Sequence, residues 1–147
     1  EIEAKDFVLG PFVSALAFNE IAVEAIVPPA KGKALGGYLK LERRVGDFAT
    51  ASVAVALDMD GDTVTQAGCA MAGVGGRTID ANEAISVLHG KTLSSENIKA
   101  AAEAVAAVSD PRTDHRGSAA YKRHIIETFV NRILNSVANS EKKAAVA

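Results

Sequence analysis

Between Tyr121 and Val137 the chain carries an apolar side chain on each successive helical turn: Tyr121, Ile125, Ile126, Phe129, Val130, Ile133, Leu134 and Val137. That spacing predicts an amphipathic helix with one continuous stripe, and a stripe of this length needs an apolar surface to lie on. The start of the helix is equally well marked. It is preceded by D-H-R-G-S-A-A-Y-K-R-H from Asp114. Ser118 stands at the N-cap position, where its hydroxyl can accept from the free amides of the first turn. Gly117 supplies a backbone conformation that other residues resist. Asp114 and Arg116 are expected to tie the loop to the body through an ion pair or backbone hydrogen bonds. Lys122, Arg123 and His124 read as a solvated face, with a basic contact surface for a partner subunit as the alternative.

The surface that receives the stripe is to be found upstream. Ser52–Met59 and Thr63–Val74 read as two strands, and D-G-D at Asp60–Asp62 reads as the turn that makes them an antiparallel hairpin. Ile21–Val27 alternates and suggests a strand buried on at least one face, ended by Pro28 and Pro29. Ala30–Gly37, rich in Gly and Lys, reads as a loop and as the best place for a domain boundary. Tyr38–Ala49 is partly strand-like, and Gly46 and Asp47 are expected to begin a short helical turn. Asp80 and Ala81 open a short helix through Leu88 that closes near Gly90. Ser94 or Ser95 caps another, with Ile98, Ala101, Ala102, Val105 and Val108 facing inward and Asp110-Pro111 as its stop. The tail S-E-K-K-A-A-V-A is expected to fray. Strands come first and helices follow. That order predicts an α+β fold, a small antiparallel sheet packed against a C-terminal helical layer.

Composition narrows the function classes. The chain has 147 residues, 48% of them hydrophobic and only 5% aromatic, so the core is expected to be built from small side chains. That length suits one domain, or one domain with the tail of another. The net charge of -2, without a basic stripe interleaved with aromatics, argues against nucleic acid. No apolar run approaches the roughly 18 residues of a membrane span, and no signal peptide is visible. A single cysteine, Cys69, rules out an internal disulfide framework and points to a reducing cytoplasmic setting.

The chemistry is sparse. His89, His115 and His124 lack metal-ligand spacing with one another or with Cys69, so no metal site is expected. Asp60 and Asp62 lack the longer acidic spacing of a calcium loop. Gly73-Val74-Gly75-Gly76 has neither a following Lys-Ser/Thr nor a G-x-G-x-x-G spacing, and reads as a turn at a strand end. Cys69, among small residues in a strand, reads as a packed, inert thiol. No catalytic constellation is expected in this chain, which from its residues alone is an α+β domain without visible machinery.

Four ordered segments add a resemblance. They are A-K-D-F-V-L-G-P-F from Ala4 with E-I-A-V-E-A-I-V-P from Glu20; Y-L-K-L-E-R-R-V-G-D-F-A from Tyr38; the strand pair ending in A-G-V-G-G; and S-D-P-R-T-D-H-R-G-S-A-A-Y-K-R-H. Together they resemble the C-terminal part of the FAD-binding medium (flavoprotein) subunit of molybdenum hydroxylases, the family of carbon monoxide and xanthine dehydrogenases. The resemblance implies an oxidoreductase subunit that is not active alone. It implies FAD, with a molybdopterin-binding large subunit and a small subunit carrying two [2Fe-2S] clusters as partners. The glycine-rich loops that hold the FAD pyrophosphate have no match here, so the N-terminal FAD-binding half is implied as a further partner.

By the same resemblance, residues 1–34 are the end of the FAD-binding domain, 35–138 the flavoprotein C-terminal domain that covers the flavin, and 139–147 a tail. Tyr38 resembles the tyrosine near the isoalloxazine ring, where an aromatic shields one face of the flavin. Lys40, or one of Lys31 and Lys33 in the preceding loop, is implied near flavin oxygens, where a cation favours the reduced, anionic ring. Phe7 is implied at the wall of the flavin site. Arg43 and Arg44 are implied to be structural or at a subunit contact. The competing expectations are a non-catalytic assembly domain of the same fold that binds no flavin by itself, and an unrelated small-molecule-binding α+β module.

Overall fold

The computed structural model describes the backbone of residues 1–29 and 33–146, and the side chains of residues 1–29 and 34–140. The N-terminal arm holds a single helical turn, α1 (Ala4–Phe7), and a two-stranded ribbon of β1 (Val8–Gly10) and β2 (Val13–Ser14). The body follows as β3 (Lys33–Leu41), β4 (Ala51–Asp60), β5 (Thr63–Ala72) and β6 (Ile79–Asp80). Then come α2 (Asn82–Ile85), a 3-10 turn (Ser86–Leu88), α3 (Ser95–Ala107) and α4 (Ala119–Val146). The strands form one antiparallel sheet in the order β3-β4-β5-β6. This is the α+β arrangement expected, with the helices on one face.

The hairpin lies where the D-G-D turn places it. Asp60 pairs with Thr63, and Gly61 takes a φ of 58° at the first central position of the turn. Alternation along β4 then sorts the sheet into two faces. Val53, Val55 and Leu57 point inward with Cys69 and Met71 of β5. They meet Ile126, Val130, Ile133, Leu134 and Val137 of α4, while Ile98, Ala101, Ala102 and Val105 of α3 complete the core. Gly37 has a reason to be small, because a Cβ there would stand 3.2 Å from Ile133 Cγ2. Ser94 caps α3 by accepting from Asn97 N at 3.2 Å, and Ser118 caps α4 by accepting from Tyr121 N at 3.1 Å.

Several expectations are corrected. Ile21–Val27 forms no strand and is exposed, because no described segment offers it a ladder or an apolar face. The loop expected over Ala30–Gly37 is strand from Lys33 onward, and residues 30–32 lie outside the described residues. Gly36 belongs in β3 because a Cβ there would run into the Val55 carbonyl oxygen. Gly46 and Asp47 make a turn closed by Asp47 N donating to Arg44 O, with Gly46 at a φ of 84°, so no helix starts there. Val108 is half-exposed at the C-cap of α3, and Ala106 is the buried residue instead. Tyr121 is likewise half-exposed rather than part of the buried stripe. The backbone of α4 continues to Val146, through the stretch expected to fray, which is rich in helix-favouring Ala, Lys and Glu.

Candidate functional site on the outer face of the sheet

Register alone builds the outer face. Opposed residues of an antiparallel sheet point to the same side, so Tyr38, Ala54, Ala70 and Asp80 form one row across all four strands. Gly36, Ala56 and Gly68 form the next row, and Lys40, Ser52 and Ala72 the row on the other side. The centre of this face is therefore a floor of glycine and alanine. The long helices α3 and α4 lie on the other face; on this one Ala54 and Ala56 are exposed, and Gly68 and Ala70 are half-buried beside Asn82 of α2. Tyr38 rises beside it at the β3 edge and is 60% exposed. An open groove of about 910 Å³ runs over Ala54, Ala56, Gly68 and Ala70, between the arm near Asp6 and the turn that precedes β6.

The charged groups around this floor are mostly committed. Lys40 Nζ stands 2.5 Å from Glu42 Oε2 on its own strand end, and this neighbour holds the ammonium above its ordinary range. Glu42 Oε2 is enclosed, and the Lys40 cation is what compensates it. Asp80 Oδ1 accepts from Asn82 N at 2.8 Å, and Asn82 Oδ1 accepts from Cys69 N at 2.8 Å. These bonds fix the start of α2 against β5. The Cys69 thiol points into the core, and burial pushes it up to about 12, which leaves it protonated and inert. No His, Cys, Asp or Glu cluster fit for a metal occurs among the described residues.

The structure brings Tyr38 and Lys40 to one edge of one face, two residues apart on β3. Lys33 opens the same strand opposite Met59, but its side chain, like all of Lys31, lies outside the described residues. Phe7 closes α1 on the arm and is partly buried. Arg43 makes a long 3.8 Å contact with Asp47, and Arg44 is exposed.

Beyond β3 the chain is clamped by residues far away in sequence. Arg116 Nη2 donates to Asp47 Oδ1 at 3.1 Å and Nη1 to Asp47 Oδ2 at 3.2 Å, a bidentate pair. Arg116 Nη1 also donates to the Phe48 carbonyl at 2.9 Å. Asp114 in turn accepts from Arg116 N at 2.8 Å and from Lys122 Nζ at 2.7 Å. Lys122 therefore does not join the solvated face expected for it. It is 3% exposed, and its ammonium also donates to Arg112 O at 3.0 Å. The Arg116 guanidinium holds the Asp47 carboxyl below the usual carboxylate range, helped by the Phe48 amide. The Lys122 ammonium does the same for Asp114. Gly117 completes the clamp, since a Cβ there would stand 2.8 Å from the ring of Tyr121.

A family profile described as the CO dehydrogenase flavoprotein C-terminal domain matches residues 37–137, which span the sheet, the clamp and both long helices. The chain belongs to that family. The carbon monoxide dehydrogenase medium chain of Hydrogenophaga pseudoflava is 36% identical over 135 residues, covering 92% of this chain and 47% of that one. The glyceraldehyde dehydrogenase medium chain of Sulfolobus acidocaldarius is 32% identical, covering 93% and 48% respectively. The nicotine 6-hydroxylase medium subunit of Paenarthrobacter nicotinovorans is also 32% identical, covering 90% and 46%. Among solved structures, carbon monoxide dehydrogenase from Hydrogenophaga pseudoflava superposes with a TM-score of 0.84 at 36% identity, over 93% of this chain and 47% of that one. Quinoline 2-oxidoreductase from Pseudomonas putida 86 superposes with a TM-score of 0.79 at 26% identity, over 95% and 48%. The chain thus spans about half the length of the curated relatives it matches. The match with medium chains bears out the resemblance carried by the four segments.

Proposed function

We propose that this chain is the flavin-covering part of the FAD-carrying medium subunit of a molybdenum-dependent hydroxylase or dehydrogenase. One observation carries the proposal: an exposed Tyr38 stands at the edge of an open groove floored by glycine and alanine, within a domain of the flavoprotein family. A floor without side-chain bulk lets a flat ring approach the sheet closely, and an aromatic at its rim shields one face of that ring. The outer face therefore fits an isoalloxazine. Tyr38 would line it, and Lys40, tethered by Glu42, would lie toward the polar edge of the ring. FAD supplies the capacity to take up electrons and pass them to an acceptor. This chain supplies shielding, exclusion of water and positive charge.

Residues 1–34 are assigned to the end of the FAD-binding domain and 35–138 to the covering domain. The arm supports this division, because Phe12, Phe18, Ile21, Val23 and Val27 are left exposed among the described residues. The implied partners are the N-terminal FAD-binding half, a molybdopterin-binding large subunit and a [2Fe-2S] small subunit.

The test is to purify the complete complex and record its absorbance near ~450 nm together with the masses of its subunits. A flavin band and two co-purifying subunits of these kinds are expected. A complex without flavin, or a medium chain isolated without partners, refutes the proposal. A flavin-free but assembled complex would instead support the assembly-domain reading.

A further inference from the structure

The turn after β3 is built as a contact point. Val45 at its tip is 99% exposed and Phe48 is 72% exposed, and no described residue covers either. Exposed apolar side chains are common on mobile tips, but this turn is held. Arg116 grips both the Asp47 carboxylate and the Phe48 carbonyl, and Phe48 N donates to Asp47 Oδ1 at 2.7 Å. The backbone of the turn that presents these side chains is therefore ordered before any partner arrives.

The charges at this end are not balanced. Its two acids are each taken up internally, Asp47 by Arg116 and Asp114 by Lys122. Arg43 is well exposed, with its 3.8 Å contact to Asp47, and Arg44 and Arg112 are exposed as well. The result is a rigid apolar tip rimmed by surplus arginine. Arginine beside an aromatic is the combination from which interface hot spots are made.

We infer that the Arg43–Phe48 turn is a docking knob, and that its occupant is an apolar pocket rimmed by carboxylates on another subunit of the same complex. A protein fits better than a membrane surface. Only two apolar side chains project, from a turn whose backbone is clamped at Asp47 and Phe48, instead of being spread along an amphipathic helix. The inference rests on the multi-subunit role proposed above and names the surface through which it is exercised. It is separate from the flavin-facing floor.

The test uses the complete complex carrying Phe48→Asp or, separately, Arg43→Glu with Arg44→Glu. Native mass spectrometry counts the subunits per medium chain, titration gives their affinity, and absorbance gives the flavin content. Both variants are expected to keep wild-type flavin and to lose a partner subunit, with affinity falling roughly tenfold or more. Wild-type stoichiometry and affinity in both variants overturn the inference. So does loss of self-association alone, which would make a second copy the occupant. Wild-type complex that binds phosphatidylserine vesicles through this turn, while subunit affinity is unchanged in the variants, overturns it in favour of a membrane. Should Phe48→Asp fail to fold by circular dichroism, the arginine pair decides, since both side chains are exposed. A wild-type chain with neither flavin nor partners would refute the proposed function itself, a result distinct from an intact complex indifferent to the variants.

Discussion

The N-terminal arm is richer in apolar residues than the sheet–helix body, yet it is the body that buries them. In the arm, Ile21, Val23, Ala25 and Val27 alternate with other residues and remain exposed. In the body, Val53, Val55 and Leu57 alternate in the same way and are buried. The difference is the partner. Ser52–Leu57 has β3 and β5 on either side and α4 above it, whereas the arm pairs only within its own short ribbon among the described residues. Period-2 patterning describes what a segment is able to bury, and the fold decides whether anything is there to receive it.

Substitutions should divide the molecule along the same line. The largest effect is expected at Gly36, where any side chain strikes the Val55 carbonyl. Gly36→Val should strip β3 from the sheet at a cost above about 4 kcal/mol, seen as loss of cooperative thermal unfolding. Next is Ile126→Ala, which empties a fully buried site between α4 and the sheet and should cost about 2–5 kcal/mol in chemical denaturation. Lys122→Met keeps the buried stem and removes the ammonium from Asp114 and Arg112 O. Loss of these charged hydrogen bonds should cost about 1.5–3 kcal/mol by the same measurement.

Acid should weaken the body through its clamp. Asp47 and Asp114 are held below the ordinary carboxylate range by Arg116 and Lys122 respectively. A carboxyl depressed in the folded state contributes stability above its unfolded pKa and loses it as pH falls through the folded one. The melting temperature should therefore drop below about pH 4, and Asp47→Asn with Asp114→Asn should flatten that slope. A slope unchanged in the double variant would remove the clamp from the account. The smallest effect belongs to the arm. Val23→Ser should change the stability of this chain by less than about 0.5 kcal/mol. In a complete medium chain the same change should exceed about 1 kcal/mol if the FAD-binding half covers the arm.

Much of the body was legible in the sequence because its signals are local. The D-G-D turn, the Ser94 and Ser118 caps and, from Ile125 onward, the α4 stripe each act within a few residues, and each lies where its local signal puts it. The clamp was half legible. An anchoring role for Asp114 and Arg116 follows from the loop, but Arg116 finds Asp47 across 69 residues, a distance no local pattern encodes. Lys122 was misplaced for a related reason. Its residue type suggests solvent, and its burial depends on Asp114 and Arg112 O meeting it in space. Of the candidate site, Tyr38 and Lys40 stood out by motif. The glycine and alanine floor appears only after register aligns three strands, since Gly36, Ala54, Ala56, Gly68 and Ala70 carry no signal one by one.

The central claim is that the outer face beside Tyr38 covers a flavin. Its most direct test is stopped-flow absorbance near ~450 nm on the complete complex, comparing the wild type with Tyr38→Ala. Altered flavin occupancy or a changed rate of flavin reoxidation by the acceptor is expected, with substrate reduction of the molybdenum centre preserved. Identical flavin content and identical electron transfer to the acceptor in the variant would contradict it.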